Sequence, residues 1–321
     1  MKLSVRSAFL MVVGAALFAG CSTNHPPARS FVKTAATTRP AADKPIVDFG
    51  HGAAGFPLVG KEPIDSRQHL LDELTAGYAA RVAMPTTRPV VTITGELPRL
   101  SSLVVDLSGG QVRSAYRPTS LKGVDKSRVV GHVDHLQYIA DPLLYHSASQ
   151  RLIIDANDVM LSLLHGRGEK EVLVMSDVGS GSAYFRATVS DLNALLKAAA
   201  SDHGGSAAFF VTGSNLELSS DDPHSLAASL RIDGFFLVIP TSLTMTGRID
   251  IDSNYQATMS HLSCTGGNVG GPLVAGFIND RLKKYEGKRV PLAAFPGDRL
   301  RISDLAISVD EALTVKARFG R

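Results

Sequence analysis

His132, Asp134 and His135 are the side chains whose types and spacing come nearest to metal or acid–base chemistry. In an extended strand, residues two apart share a face, so His132 and Asp134 point one way and His135 the other. Neither arrangement brings three ligands to one point, as a zinc site requires. They read as polar groups on a solvated strand. Gly179-Ser180-Gly181-Ser182 is not G-x-S-x-G and reads as a hairpin loop, without the strand-to-helix elbow that exposes a nucleophile. Cys264 stands ahead of Gly266-Gly267 and reads as a loop thiol with no reactive role. Asp155 with Asp158, and Asp250 with Asp252, read as helix-start and strand-surface carboxylates, not as the paired acids of a glycosidase. Asp221-Asp222 is too short for a calcium loop. No P-loop or dinucleotide glycine pattern follows a strand-like run. The sequence therefore reads as that of a non-enzyme with no metal and no cofactor.

The elements that carry these residues are mostly strands. Val91 and Ile93, then Leu103, Val105 and Leu107, recur with period two, and Ser108-Gly109-Gly110 turns the chain. Before them, Leu70, Leu71, Leu74 and Tyr78 make one helical stripe over Asp65–Val82, with Asp65 as its N-cap. Two strand–helix–strand units are expected next. The first has a helix carrying Val159, Met160, Leu163 and Leu164, ended by Gly166. The second runs Tyr184–Val189 into a helix capped by Ser190, ended by Gly204-Gly205. Leu226–Leu262 alternates as an antiparallel run with a tight turn at Asp233-Gly234 and another at Asp252-Ser253-Asn254. Phe235–Ile239 is apolar on both faces and reads as a strand covered on both sides.

The last stretch, Val269–Phe319, holds a helix and a closing hairpin. Gly270-Gly271-Pro272 opens the helix, Leu273, Val274, Phe277, Ile278 and Leu282 form its stripe, and Gly287 stops it. After Pro296-Gly297, Leu300 and Ile302 alternate on one parity and Leu305, Ile307 and Val309 on the other, which predicts a bulge near Ser303-Asp304. Asp310-Glu311-Ala312 reads as the hairpin turn. The fold class is α+β, with a long, highly curved antiparallel sheet packed on two or three amphipathic helices.

The chain has 321 residues, 44% of them hydrophobic and 20% charged, which suits a protein that buries a core. Net charge is +3, and without Lys2 and Arg6 there are 31 basic against 30 acidic residues, so nothing favours nucleic acid. Lys2 and Arg6 precede the apolar run Ala8–Phe18, and Phe18-Ala19-Gly20-Cys21 resembles a bacterial lipobox. The run is shorter than the roughly 20 residues needed to span a bilayer. Residues 1–20 are accordingly expected to be a lipoprotein signal peptide and 21–63 a Pro-, Ala- and Thr-rich tether, with one domain over 64–321. The lipobox resemblance implies that Cys21 carries acyl chains such as palmitate, leaving Cys264 as the one free thiol. Ser22 after the cysteine, by resemblance to enterobacterial sorting, implies the outer membrane facing the periplasm.

Tyr184–Ala200, with Ser190-Asp191-Leu192-Asn193-Ala194-Leu195-Leu196, resembles the LmeA-type phospholipid-binding family. So does Leu243–Phe319, with Thr246-Gly247-Arg248-Ile249, Leu273–Leu282, Val290-Pro291-Leu292 and Phe295-Pro296-Gly297. That family is similar to the tubular lipid-binding (TULIP) superfamily, in which a curved sheet wraps a long helix and leaves an apolar groove. The resemblance implies a non-enzymatic lipid-binding role in the cell envelope. The groove candidates are Leu192, Leu195, Leu196, Leu273, Val274, Phe277 and Ile278, and the head-group candidates Lys283, Lys284, Lys288 and Arg289. The alternative is an assembly lipoprotein that binds another envelope protein, and the third reading an unidentified hydrolase.

Overall fold

The computed structural model describes residues 56–60, 63–85, 88–113, 124–166, 170–202, 209–292 and 301–321. The expected signal peptide, Cys21 and nearly all of the expected tether lie outside the described residues, as do Gly204-Gly205, Pro296-Gly297 and Leu300. The chain is α+β. Helix α1 (Arg67–Ala79) precedes β1 (Val82–Ala83), β2 (Val91–Glu96), β3 (Arg99–Asp106), β4 (Gln111–Val112), β5 (Val124–Tyr145), β6 (Ala148–Gly166) and β7 (Lys170–Thr188). Helix α2 (Val189–Asp202) leads to β8 (Phe209–Ser219), β9 (Ser225–Phe236), β10 (Ile239–Ile251) and β11 (Gln256–Gly267). Helix α3 (Gly271–Leu282), β12 (Arg289–Pro291), β13 (Arg301–Val309) and β14 (Ala312–Gly320) complete it.

The expected single antiparallel sheet is two sheets. The first has nine strands in the order β1-β4-β5-β6-β7-β14-β13, with β2 joined through β3. It is mixed, because β3 and β4 both run parallel to β5. The second has five antiparallel strands in the order β12-β11-β10-β9-β8. The chain passes between them through β7 and α2, so β7 begins in one core with Leu173 and ends in the other with Phe185 and Ala187.

Apolar periodicity explains which face each element buries. Leu70 and Leu74 of α1 pack with Leu100 and Leu103 of β3, Leu136 of β5 and Leu161 of β6 in the first core. The second core joins Leu192 of α2, Leu230, Leu243 and Ile249 of the five-stranded sheet, Ala275 and Leu282 of α3, and Leu305 and Leu313 of the closing hairpin. That hairpin turns at Asp310-Glu311 and carries its irregularity between Ile302 and Asp304, where the change of parity places it.

Several local expectations are corrected. The N-cap of α1 is Ser66, whose extended backbone lets Oγ accept from the His69 N–H, while Asp65 pairs with the His69 ring at 3.5 Å. The helix expected over Val159–Leu164 is strand, because β6 is laddered on both sides and Leu161 to Leu164 are all buried. A strand covered on both faces loses its period-two signature and mimics a helical stripe. Gly179-Ser180-Gly181-Ser182 is no loop but lies inside β7. A Cβ on Gly181 would lie 2.5 Å from the Phe319 ring, so that glycine serves close approach and not a turn. Gly234 likewise sits inside β9, where a Cβ would meet Phe210 O at 2.2 Å, and the chain turns instead at Leu237-Val238. Phe235–Ile239 is therefore an exposed hairpin end and not a covered strand. Helix α3 ends at Leu282 with Lys283 as its cap; Gly287, at φ 70°, closes the turn that follows.

Candidate functional site

Helix α2 packs against β8 and helix α3 against β11 and β10, so the groove candidates lie on two helices that share the second core. Thr188 Oγ1 accepts from the Asp191 N–H at the start of α2, and the Asp191 carboxylate holds the Ser149 N–H, which fixes that helix to the first sheet. Pro272 stands in the first turn of α3, where its missing N–H costs nothing. A Cβ on Gly266 would lie 2.0 Å from the Gly271 backbone, so two glycines let α3 begin directly against β11. Asn279 then bonds both backbone groups of Cys264.

Leu192 is only 3% exposed, and Leu195, Leu196, Val274 and Ile278 are partly buried against the same second core. Leu273 and Phe277 point outward, at 60% and 71% exposure. At about 100° per residue, Leu273, Phe277 and Lys284 lie within roughly 40° of one another around α3 and its cap. Lys284 is exposed, and Lys283 reaches Asp280 at 3.4 Å. Lys283 also lines a surface depression of about 430 Å³ with Thr246, His261, Ser263 and Glu286. Lys288 stacks on the Tyr285 ring at 5.0 Å, and Arg289 is exposed on β12. The apolar pair thus lies on α3, and the cationic candidates follow it at the helix cap, in the turn beyond and on β12.

The other feature with chemical potential is an ion-pair cluster around His132. His132 Nε2–H donates to Asp158 Oδ1 at 2.5 Å, and Nδ1 lies 3.3 Å from Asp134 Oδ1 without hydrogen-bond alignment. Arg99 reaches Asp134 at 3.0 Å, and Arg321 pairs with Asp158. The hydrogen bond from His132, then the charge of Arg321, hold Asp158 below the usual carboxylate range against a desolvation that raises it. His135 faces Asp155 at 3.7 Å farther along β5, where the alternation is interrupted and Val133 and Leu136 both enter the first core. The cluster borders a depression of about 480 Å³ whose other walls are Pro98, Val129, Val130, Gly131 and Met160. That lining has no serine, threonine, cysteine or lysine to act as a nucleophile beside the imidazole. Among the described residues no three His, Cys, Asp or Glu side chains are placed to hold a metal ion. The arrangement works as an electrostatic clamp between β5, β6 and Arg321.

Sequence reasoning paired His132 with Asp134 but missed Asp158, because it placed Asp158 at a helix start. The signal would have been a strand reading of Ala148–Gly166, which puts Met160 opposite His132 and Asp158 just beyond it. Cys264 is in β11, opposite Met245, and not in a loop. It is 3% exposed, and burial pushes its thiol up to about 11. Among the described residues no helix is long and apolar enough to cross a membrane. No protein-family model, curated protein or solved structure matches this chain.

Proposed function

We propose that this chain is an outer-membrane lipoprotein whose periplasmic domain holds a phospholipid-like amphiphile against α3. The observation that carries the reading is the row Leu273–Phe277–Lys284: two large apolar side chains left in solvent, continued by a cation. Phe277 and Lys284 are separated by about 10 Å along the axis, a spacing suited to an acyl chain on the apolar pair and a phosphate at the lysine. The helix C-terminus, with its partial negative charge, favours the lysines there, and it is their charge that must attract a phosphate against that dipole end.

Magnitudes set what the site must include. Covering Leu273 and Phe277, each already partly shielded, is worth about 2–4 kcal/mol, which corresponds to roughly millimolar binding. A retained lipid must therefore also engage the half-buried Val274 and Ile278 of the same helix. The reading is non-enzymatic: ligand is held by burial and charge, and no step is asked of the His132 cluster.

Attachment rests on Cys21 and is tested by Cys21→Ser in cells. The expected result is loss of acylation, with the protein retained as unprocessed precursor. Normal processing and membrane attachment of that variant would remove the lipoprotein half of the proposal.

A further inference from the structure

We infer that the free end of the five-stranded sheet is a tip that docks into the surface of a lipid bilayer. Phe210 and Phe235 are register partners across β8 and β9, Leu237 and Val238 form the next turn, and Ile239 opens β10. Val269 joins them, because a Cβ on the adjacent Gly270 would lie 3.1 Å from Ile239 Cγ2. Leu237, Val238 and Val269 are 62%, 87% and 89% exposed. Leu237 has φ 57°, a left-handed conformation that hairpins normally give to glycine or asparagine. A leucine there meets a steric penalty between its Cβ and the following carbonyl that glycine avoids. The hairpin accepts that local cost and presents an apolar side chain to solvent, an outlier of the kind found at functional sites.

The polarity along the strands identifies the occupant. The apolar tip is followed by the uncharged polar residues Thr241 and Asn268, and charge begins at the level of Ser242, where Asp233 stands opposite it and pairs with Arg231 at 3.2 Å. At about 3.3 Å per residue pair, Phe235 lies roughly 7 Å behind the Leu237-Val238 turn and Asp233 roughly 13 Å behind it. Acyl boundary, interface and head groups follow one another on that same scale, and interfacial segments sink about 5–10 Å. A convex hairpin end with a few hundred Å² of apolar surface falls short of the roughly 800 Å² per partner of a stable protein interface. A fluid bilayer needs no complementary groove. Residues 22–55, between Cys21 and the first described residue, have roughly 110 Å of extended reach, enough to let the domain bring this end to the membrane. The inference uses the Cys21 anchor for proximity and does not depend on a ligand at α3.

The test uses the full processed chain in phosphatidylethanolamine–phosphatidylglycerol vesicles, with Val238→Cys carrying an environment-sensitive fluorophore and acyl-brominated lipids as quencher. Cys264 is buried and stays unlabelled. The expected result is quenching at position 238 and none for the same label on Ser101→Cys, an exposed site on β3. A label on Val269→Cys should be quenched as well, and Leu237→Asp should abolish that quenching without touching the labelled site. Equal emission from positions 238 and 101 overturns the inference. So does a Val238→Cys disulfide dimer without quenching, which would mark the tip as a contact between copies. Retained lipid assayed on the same preparation reports separately on the α3 reading.

Discussion

Asn193 and Asn279 make the same two-point bond towards opposite edges of the five-stranded sheet. Asn193 of α2 donates from Nδ2 to Leu216 O at 3.1 Å and accepts the Leu216 N–H on Oδ1 at 2.6 Å. Asn279 of α3 donates to Cys264 O and accepts the Cys264 N–H, both at 2.7 Å. A carboxamide offers the donor and acceptor of a peptide group, so each side chain stands in for a missing ladder partner. β8 is an edge strand, and β12 pairs with β11 only over Gln256–Thr258, so both sites lie where backbone would otherwise go unpaired. The Glu286 carboxylate continues the device by accepting from the His261 and Leu262 N–H groups. Covering an edge with a helix also blocks strand addition by another chain.

Asn279→Leu should therefore destabilise the domain beyond any loss of packing. Two buried backbone groups of Cys264 would be left unpaired, at about 1–3 kcal/mol each. Asn193→Leu should behave alike through Leu216. Urea midpoints at unchanged slope measure both, and wild-type midpoints would show that the helices are held by apolar contact alone.

Cys264 should be inert in the native state. Its thiol is pushed from the ordinary 9.0 up to about 11 by burial, so almost no thiolate forms near neutrality. Because the folded value is the raised one, the neutral thiol's contribution to stability is complete below 9.0 and is lost as pH rises towards about 11. Thiol titration with a chromogenic disulfide at about pH 8 should proceed only on unfolding. Rapid reaction of the folded protein would contradict the burial and reopen a catalytic role.

Asp158 should matter through pH and not through turnover. Its carboxyl is held below the ordinary 3.8 by the His132 hydrogen bond first and Arg321 second. A depressed carboxylate stabilises the fold above its unfolded value, and that contribution is lost as pH falls through the lower folded one. Asp158→Asn should lower the thermal midpoint slightly at neutral pH, and the difference should shrink below 3.8 and vanish only below the lower folded value. A constant difference at all pH values would show that the cluster does not act through this ionisation.

The sequence was legible where one face of an element meets water. The closing hairpin, its parity change at Ile302–Asp304 and the β9–β10–β11 meander all follow from alternation. It was misleading where both faces are covered, as at Leu161–Leu164 in β6, because continuous burial carries no period. It was misleading again where glycine serves contact, at Gly181 under Phe319 and Gly234 beside Phe210 O. The division into two sheets depends on pairings such as β3 with β5, which join residues more than thirty apart and leave no local mark. For the candidate site, the stripe of α3 could be read in advance, but which of its members stay in solvent could not. Leu273 and Phe277 differ from Val274 and Ile278 only by about 100° of rotation, and the position of β11 decides between them.

The central claim is that α3 holds an amphiphile, and lipid retained per mole of purified full-length protein tests it most directly. Mass spectrometry after mild-detergent extraction should find one non-covalently held phospholipid-like molecule per chain, counted apart from any acyl group on Cys21. Phe277→Asp should lose it while keeping the wild-type thermal midpoint, because Phe277 is 71% exposed and supports no core. Lys284→Glu should weaken retention through the head group alone. A wild-type protein that carries no such molecule would contradict the account.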